Sequence, residues 1–123
     1  MNPRAYYYDK PLIVLQDSST LSAGDIFVGA FEEHPNTTQM GTLTGGGNSL
    51  VERYRLPNTG LLLIVGWSAK FRPNGKLYDG TGIPPDIFMA DTPQDLVGET
   101  DSVLDAAVRR LKENGANKPN APR

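Results

Sequence analysis

Cysteine is absent from these 123 residues, and histidine and tryptophan occur once each. Without thiols there is no disulfide, no thiolate metal site and no cysteine nucleophile. The absence does not fix the compartment, because extracytoplasmic bacterial proteins also commonly lack cysteine. A single imidazole, His34, confines histidine chemistry to one position. Neither sign of charge dominates: 12 basic residues face 14 acidic ones, for a net charge of −2. That balance argues against a nucleic-acid or anionic-membrane surface. No apolar stretch approaches the ~20 residues of a membrane span, and the polar N-terminus does not read as a signal peptide. Thirteen glycines and ten prolines are plentiful by contrast, and they call for many turns. With 38% hydrophobic and 21% charged residues, the composition is that of a soluble globular chain. Its length allows one domain with a modest core.

Leu12-Ile13-Val14-Leu15 is an unbroken apolar run, as in a parallel strand covered on both faces. An amphipathic helix follows from about Ser22 to Glu33 and stops near Pro35. Thr37 to Leu43 reads as a short strand. Leu50 to Leu56 alternates, with Leu50, Tyr54 and Leu56 opposite Val51, Arg53 and Arg55. Pro57-Asn58-Thr59-Gly60 is a turn, and Leu61 to Phe71 a strand that pairs back as an antiparallel hairpin. A last helix starts near Asp101, buries Val103, Leu104, Ala107, Val108 and Leu111, and ends before Gly115. Residues 1–113 form the folded unit, and 114–123 read as a disordered tail. Tyr6-Tyr7-Tyr8 reads as an edge segment packing its rings on the sheet.

Ser22 stands where the buried strand hands over to the helix. Free backbone N–H groups and the positive helix end lie beside its hydroxyl, a setting that suits a serine nucleophile. The same residues admit a plainer reading. Ser22-Ala23-Gly24-Asp25 before an apolar run is also a capping-box pattern, and local residues alone favour the cap.

Four segments in order turn the balance. Ser22-Ala23-Gly24-Asp25-Ile26-Phe27 resembles the nucleophile segment of the tail-specific (C-terminal-processing) serine proteases. Gly41-Thr42-Leu43-Thr44-Gly45-Gly46-Gly47 resembles their glycine-rich segment. Leu56-Pro57 with Leu61 to Val65 resembles the next strand pair, and Tyr78 to Ile87 resembles their Gly-Ile-x-Pro-Asp signature. The match runs from about Lys10 to Leu111. It implies a ClpP/crotonase-like α/β fold of β-β-α units, with peptide hydrolysis through an acyl-enzyme on Ser22. Substrates would be polypeptides, and no metal or organic cofactor is needed.

A serine hydroxyl needs a base. His34 lies twelve positions beyond Ser22 at the other end of the predicted helix. At 1.5 Å per residue that is ~18 Å away, so His34 reads as a helix C-terminal residue. In the Ser-Lys branch of the family the lysine falls about 25 residues past the serine, where this chain has Gly47. Lys70 and Lys76 read as solvated surface lysines. The tricorn-core-like branch uses a Ser-His-acid arrangement, and the resemblance to it is closer. Its acid position is filled by Asp79, where glutamate is usual and aspartate is one methylene shorter. A turn residue beside Gly80 is the competing reading of Asp79. Asp86 is expected to bond backbone in the Pro-Pro-Asp turn.

The resemblance gives Ala23 N–H the oxyanion role, and Gly45-Gly46-Gly47 could let a substrate backbone approach closely. No Lys-Ser/Thr follows these glycines, which disfavours a phosphate cradle. The expectation is the C-terminal portion of a protease core, with its general base upstream. The alternative is a non-catalytic peptide-binding or assembly module that keeps the fold. Either way, an incomplete sheet should seek the rest of a protease chain or a second copy, giving a homo-oligomer.

Overall fold

The computed structural model describes residues 8–116. The apolar run becomes β1 (Leu12–Gln16), followed by α1 (Ala23–Ala30) and β2 (Thr37–Gly41). The hairpin is β3 (Val51–Arg55) and β4 (Leu62–Gly66). Then come β5 (Ile87–Phe88), α2 (Pro93–Leu96) and α3 (Ser102–Ala116). Strands β1, β2 and β5 form one parallel sheet in the order β1-β2-β5, with Leu12 opposite Thr37 and Met40 opposite Ile87. Strands β3 and β4 pair antiparallel in a separate sheet. The chain is thus mixed α/β, with an antiparallel hairpin and a C-terminal helix.

Successive strand residues point to opposite faces, so β1 serves two cores. Val14 packs with Val28 of α1, Tyr78 and Ile83 on one side. Ile13 packs on the other with Met40, Val103 and Ala107, under α3. Coverage on both faces is what the unbroken apolar run requires. It thins at the C-terminal end, where Leu15 is 40% exposed. Burial of each such branched side chain contributes roughly 1.5–3 kcal/mol.

Gln16 closes the sheet end. Its Nε2 donates to the carbonyls of Thr42 (3.0 Å) and Ile83 (2.7 Å). At Gly41, φ is 131°, and a Cβ there would run into the Gln16 carbonyl. Only glycine fits so close an approach.

Several boundaries differ from the sequence expectations. Helix α1 ends at Ala30, and residues 31–33 turn, with Phe31 N–H bonding back to Val28 O. Strand β2 stops at Gly41, before Leu43. Strand β4 stops at Gly66 rather than Phe71, because side chains replace the ladder there. Ser49 Oγ donates to Ser68 O, and Leu50 N–H donates to Ser68 Oγ, both at 2.7 Å. The two-residue β5 and the single-turn α2 were not anticipated. The latter rests on a capping box between Thr92 and Asp95. Asp95 also accepts from Thr100 Oγ1 and from the N–H and hydroxyl of Ser102, tying α2 to the start of α3.

Helix α3 continues through Gly115 to Ala116, so the expected tail is helical as far as 116. A helical glycine costs only ~1 kcal/mol and need not end the helix. Residues 117–123 of that tail, and Tyr6 and Tyr7 of the tyrosine run, lie outside the described residues. Tyr8 is 63% exposed.

Candidate active site

Ser22 is the only non-glycine residue with positive φ among the described residues, at φ 57° and ψ −113°. A conformation of this kind costs an L-residue about 1–3 kcal/mol and persists only where its surroundings impose it. Here they do. Ser22 N–H donates to Gly47 O (3.0 Å), while Ser22 O accepts from Asn48 Nδ2 (3.0 Å) and Ile26 N–H (3.2 Å). The side chain makes no capping bond and is exposed. The capping-box reading therefore fails on geometry: the backbone is strained, and the hydroxyl is left to solvent.

Asp25, the other half of that pattern, turns inward. It is fully buried and accepts from Gly46 N–H and Gly47 N–H, both at 3.2 Å. One carboxylate thus pins the glycine loop to the first turn of α1. Gly46 has φ 64°, and a Cβ on it would lie 2.5 Å from Gly82 N. The loop is therefore wedged between Asp25 and the Tyr78–Ile87 segment. Gly45 N–H is taken by Thr20 O (2.9 Å), so all three glycine N–H groups bond within the chain. Any substrate contact would be with the bare Cα surfaces of Gly45 and Gly47, which are exposed, whereas Gly46 is buried. Ala23 is the first residue of α1, a position whose N–H has no intrahelical partner.

Asp79 is anchored beside the same loop. Its Oδ1 accepts from Asn48 N–H and Ser49 N–H, both at 2.7 Å. Its Oδ2 is buried without a partner among the described residues. The Asn48 N–H bond, then that of Ser49, holds the carboxyl below the usual carboxylate range against an opposing effect of burial; Lys70 adds to the lowering. Asp79 and Ser22 are joined through one residue, Asn48, which bonds both.

A lowered pKa means that Asp79 stabilises the folded chain above pH ~4 and that this contribution fades as pH falls through the lowered value. Asp79→Asn is expected to flatten the fall in melting temperature between about pH 5 and pH 2. Equal slopes for both chains would contradict the anchoring.

Asp86 does bond backbone, but across the sheet rather than within its own turn. Its Oδ2 accepts from Gln39 N–H of β2 at 2.8 Å. His34 Nδ1 accepts from Asn36 N–H (3.3 Å) and pairs with Thr37 Oγ1 (3.0 Å), and its ring lies edge-on to Phe31. It belongs to the turn after α1 and bonds nothing near Ser22. The reading of Lys70 as a solvated lysine is corrected: the residue is half-buried, and its Nζ donates to Asn48 Oδ1 at 3.0 Å. A groove of about 280 Å³ lies at the C-terminal ends of β1 and β2, lined by Gln16, Asp17, Thr42 and Asp101 among others. It runs beside the Ser22 turn without including Ser22 or Asp79. Among the described residues, no three acidic or histidine side chains converge to hold a metal ion.

The region thus brings together a strand end, a strained exposed serine at a helix start and an anchored acid. The profile of Peptidase family S41 matches residues 2–89, and the chain belongs to that family. It is 34% identical over 81 residues to a Carboxy-terminal-processing protease of Bartonella bacilliformis, covering 66% of this chain and 18% of that protein. A Parabacteroides merdae crystal structure superposes with a TM-score of 0.77 at 30% identity, over 92% of this chain and 35% of that one. The tricorn protease superposes with a TM-score of 0.66 at 26% identity, over 87% of this chain and 11% of that one. The chain thus spans well under two thirds of each relative's length.

Proposed function

We propose that this chain is the nucleophile-bearing part of a serine peptidase. The observation that carries the reading is Ser22, held in a strained positive-φ turn with its hydroxyl exposed. In the proposed reaction, Ser22 Oγ adds to a substrate carbonyl and passes its proton to an imidazole. Ala23 N–H receives the oxyanion. The C–N bond then breaks, the imidazole returns the proton to the leaving amine, and water releases the acyl group. Asp79 orients the imidazole through Oδ2, the oxygen of its carboxylate that has no partner among the described residues. His34 is held elsewhere, so the imidazole comes from a segment upstream of these 123 residues. Substrates are polypeptides, entered from their C-termini, in keeping with the name of the Bartonella relative.

A fluorophosphonate probe tests the assignment in a chain extended upstream along its own reading frame. The phosphonyl group should appear on Ser22 by mass spectrometry and vanish in Ser22→Ala. Failure to label Ser22 would favour the second reading, a peptide-binding or assembly module. That reading draws on the lack of any imidazole bonded near Ser22 among the described residues.

The hairpin supports a partner in either case. All ten residues of β3 and β4 are exposed, and Leu61 and Trp67 beside them are 65% and 61% exposed. A lone two-stranded hairpin is marginal in water, and apolar surface of this extent marks an interface. The rest of a protease chain or a second copy would cover it. The isolated chain is expected to sediment as a dimer or larger species at micromolar concentration. A well-behaved monomer would count against this interface.

A further inference from the structure

We infer that Lys70 and Asn48 form a positioning couple that holds the Ser22 turn in place and ties it to the Asp79 anchor. The inference rests on the reading of Ser22 as the nucleophile and adds two residues to its support.

Asn48 is 2% exposed, and its backbone N–H and both ends of its amide are engaged. Its N–H reaches Asp79 Oδ1 (2.7 Å), its Nδ2 donates to Ser22 O (3.0 Å), and its Oδ1 accepts from Lys70 Nζ (3.0 Å). The bond from the ammonium is charge-assisted, and it polarises the amide so that Nδ2–H donates more strongly to the Ser22 carbonyl. Bonded at both ends, the amide cannot rotate. Among the described residues, Asn48 is the one side chain bonded to the backbone of Ser22; the other bonds of the Ser22 backbone are to backbone groups.

Lys70 reaches this place because β4 ends at Gly66, which lets residues 67–70 return toward the glycine loop. Two bonds between Ser49–Leu50 and Ser68 fix that return. The partner of Lys70 Nζ is Asn48 Oδ1, so the lysine acts on Ser22 through the amide rather than as its base.

The test is carbon-detected NMR on the 123-residue chain and three variants, with thermal melts to confirm folding. Lys70→Met removes the ammonium and keeps most of the side-chain bulk at a half-exposed position. The Asp79 titration midpoint should move upward in this variant, and the backbone shifts of Ser22 should move away from their positive-φ values. Lys70→Arg should restore both. Asn48→Asp keeps an acceptor for Lys70 but removes the donor to Ser22 O. It should therefore disturb Ser22 even with the lysine intact. Unchanged Ser22 and Asp79 signals in folded Lys70→Met would overturn the couple, and so would a disturbance that Lys70→Arg does not repair. If Asn48→Asp fails to fold, the two lysine variants decide the question alone. These signals do not depend on turnover, so an inert Ser22 in the phosphonate experiment would defeat the nucleophile reading without deciding this one.

Discussion

The isolated 123-residue chain is expected to hydrolyse denatured protein some ~10²–10⁴-fold more slowly than a serine peptidase whose nucleophile has an imidazole base. The factor is that of general-base catalysis, and the structure gives the reason to expect its loss. His34 is engaged by Asn36 N–H and Thr37 Oγ1 in a turn that bonds nothing near Ser22. Lys70, the cation nearest the site in the bonding network, is joined to Asn48 Oδ1. The residual rate would come from the Ala23 N–H and from substrate positioning, neither of which needs a base. A casein or unfolded-protein assay on the pure chain, run beside Ser22→Ala, measures it. Robust turnover that disappears in Ser22→Ala would sink the expectation and show that a lysine within these residues takes the proton.

Asp25→Ala is expected to destabilise the fold by about 3 kcal/mol, a large share of the 5–15 kcal/mol typical of a domain. The carboxylate is fully buried and serves as the only acceptor for the Gly46 and Gly47 N–H groups among the described residues. Gly46 is itself buried, so its N–H would lose its partner with no access to water. Gly47 is exposed and can turn to solvent, which limits the loss. Asp25→Asn should cost about half as much, because an amide oxygen can serve one N–H while its NH2 opposes the other. Urea denaturation reads both values, and Asp25→Ala within about 0.5 kcal/mol of the parent chain would refute the pinning. The effect should also reach the Ser22 turn, since Gly47 O is the acceptor for Ser22 N–H.

What could be read ahead of the coordinates was local. The apolar run of β1, the β3–β4 hairpin and the handover at Ser22 each lie within a few residues, and all three recur in the fold, with no residue of β3 buried. Strand β5 left no such trace. Two residues carry no period, and their partners Met40 and Gly41 lie 47 positions earlier in the chain (87 − 40). The role of Asp25 is not legible in the sequence, because a capping box and a buried loop anchor use the same residue at the same spacing. Only the placement of Gly46 tells them apart. Lys70 was misjudged for a related reason. A lysine closing an apolar run looks the same whether its ammonium meets water or Asn48, and the early end of β4 decides which. Asn48 itself gave no signal, since an asparagine after three glycines reads as one more turn residue.

The Gln16–Ile83 bond joins positions 67 residues apart, and Gly80 N–H returns to Gly46 O in the same region. During synthesis, which proceeds at ~5–20 residues per second from the N-terminus, the segment carrying Ser22 emerges several seconds before the one carrying Asp79 and Ile83. Until that second segment arrives, the glycine loop has no wall to lean on and Asn48 no acid to hold. A nascent chain therefore displays Ser22 before the surroundings that hold its turn exist, and a truncation ahead of Tyr78 would leave that turn permanently slack.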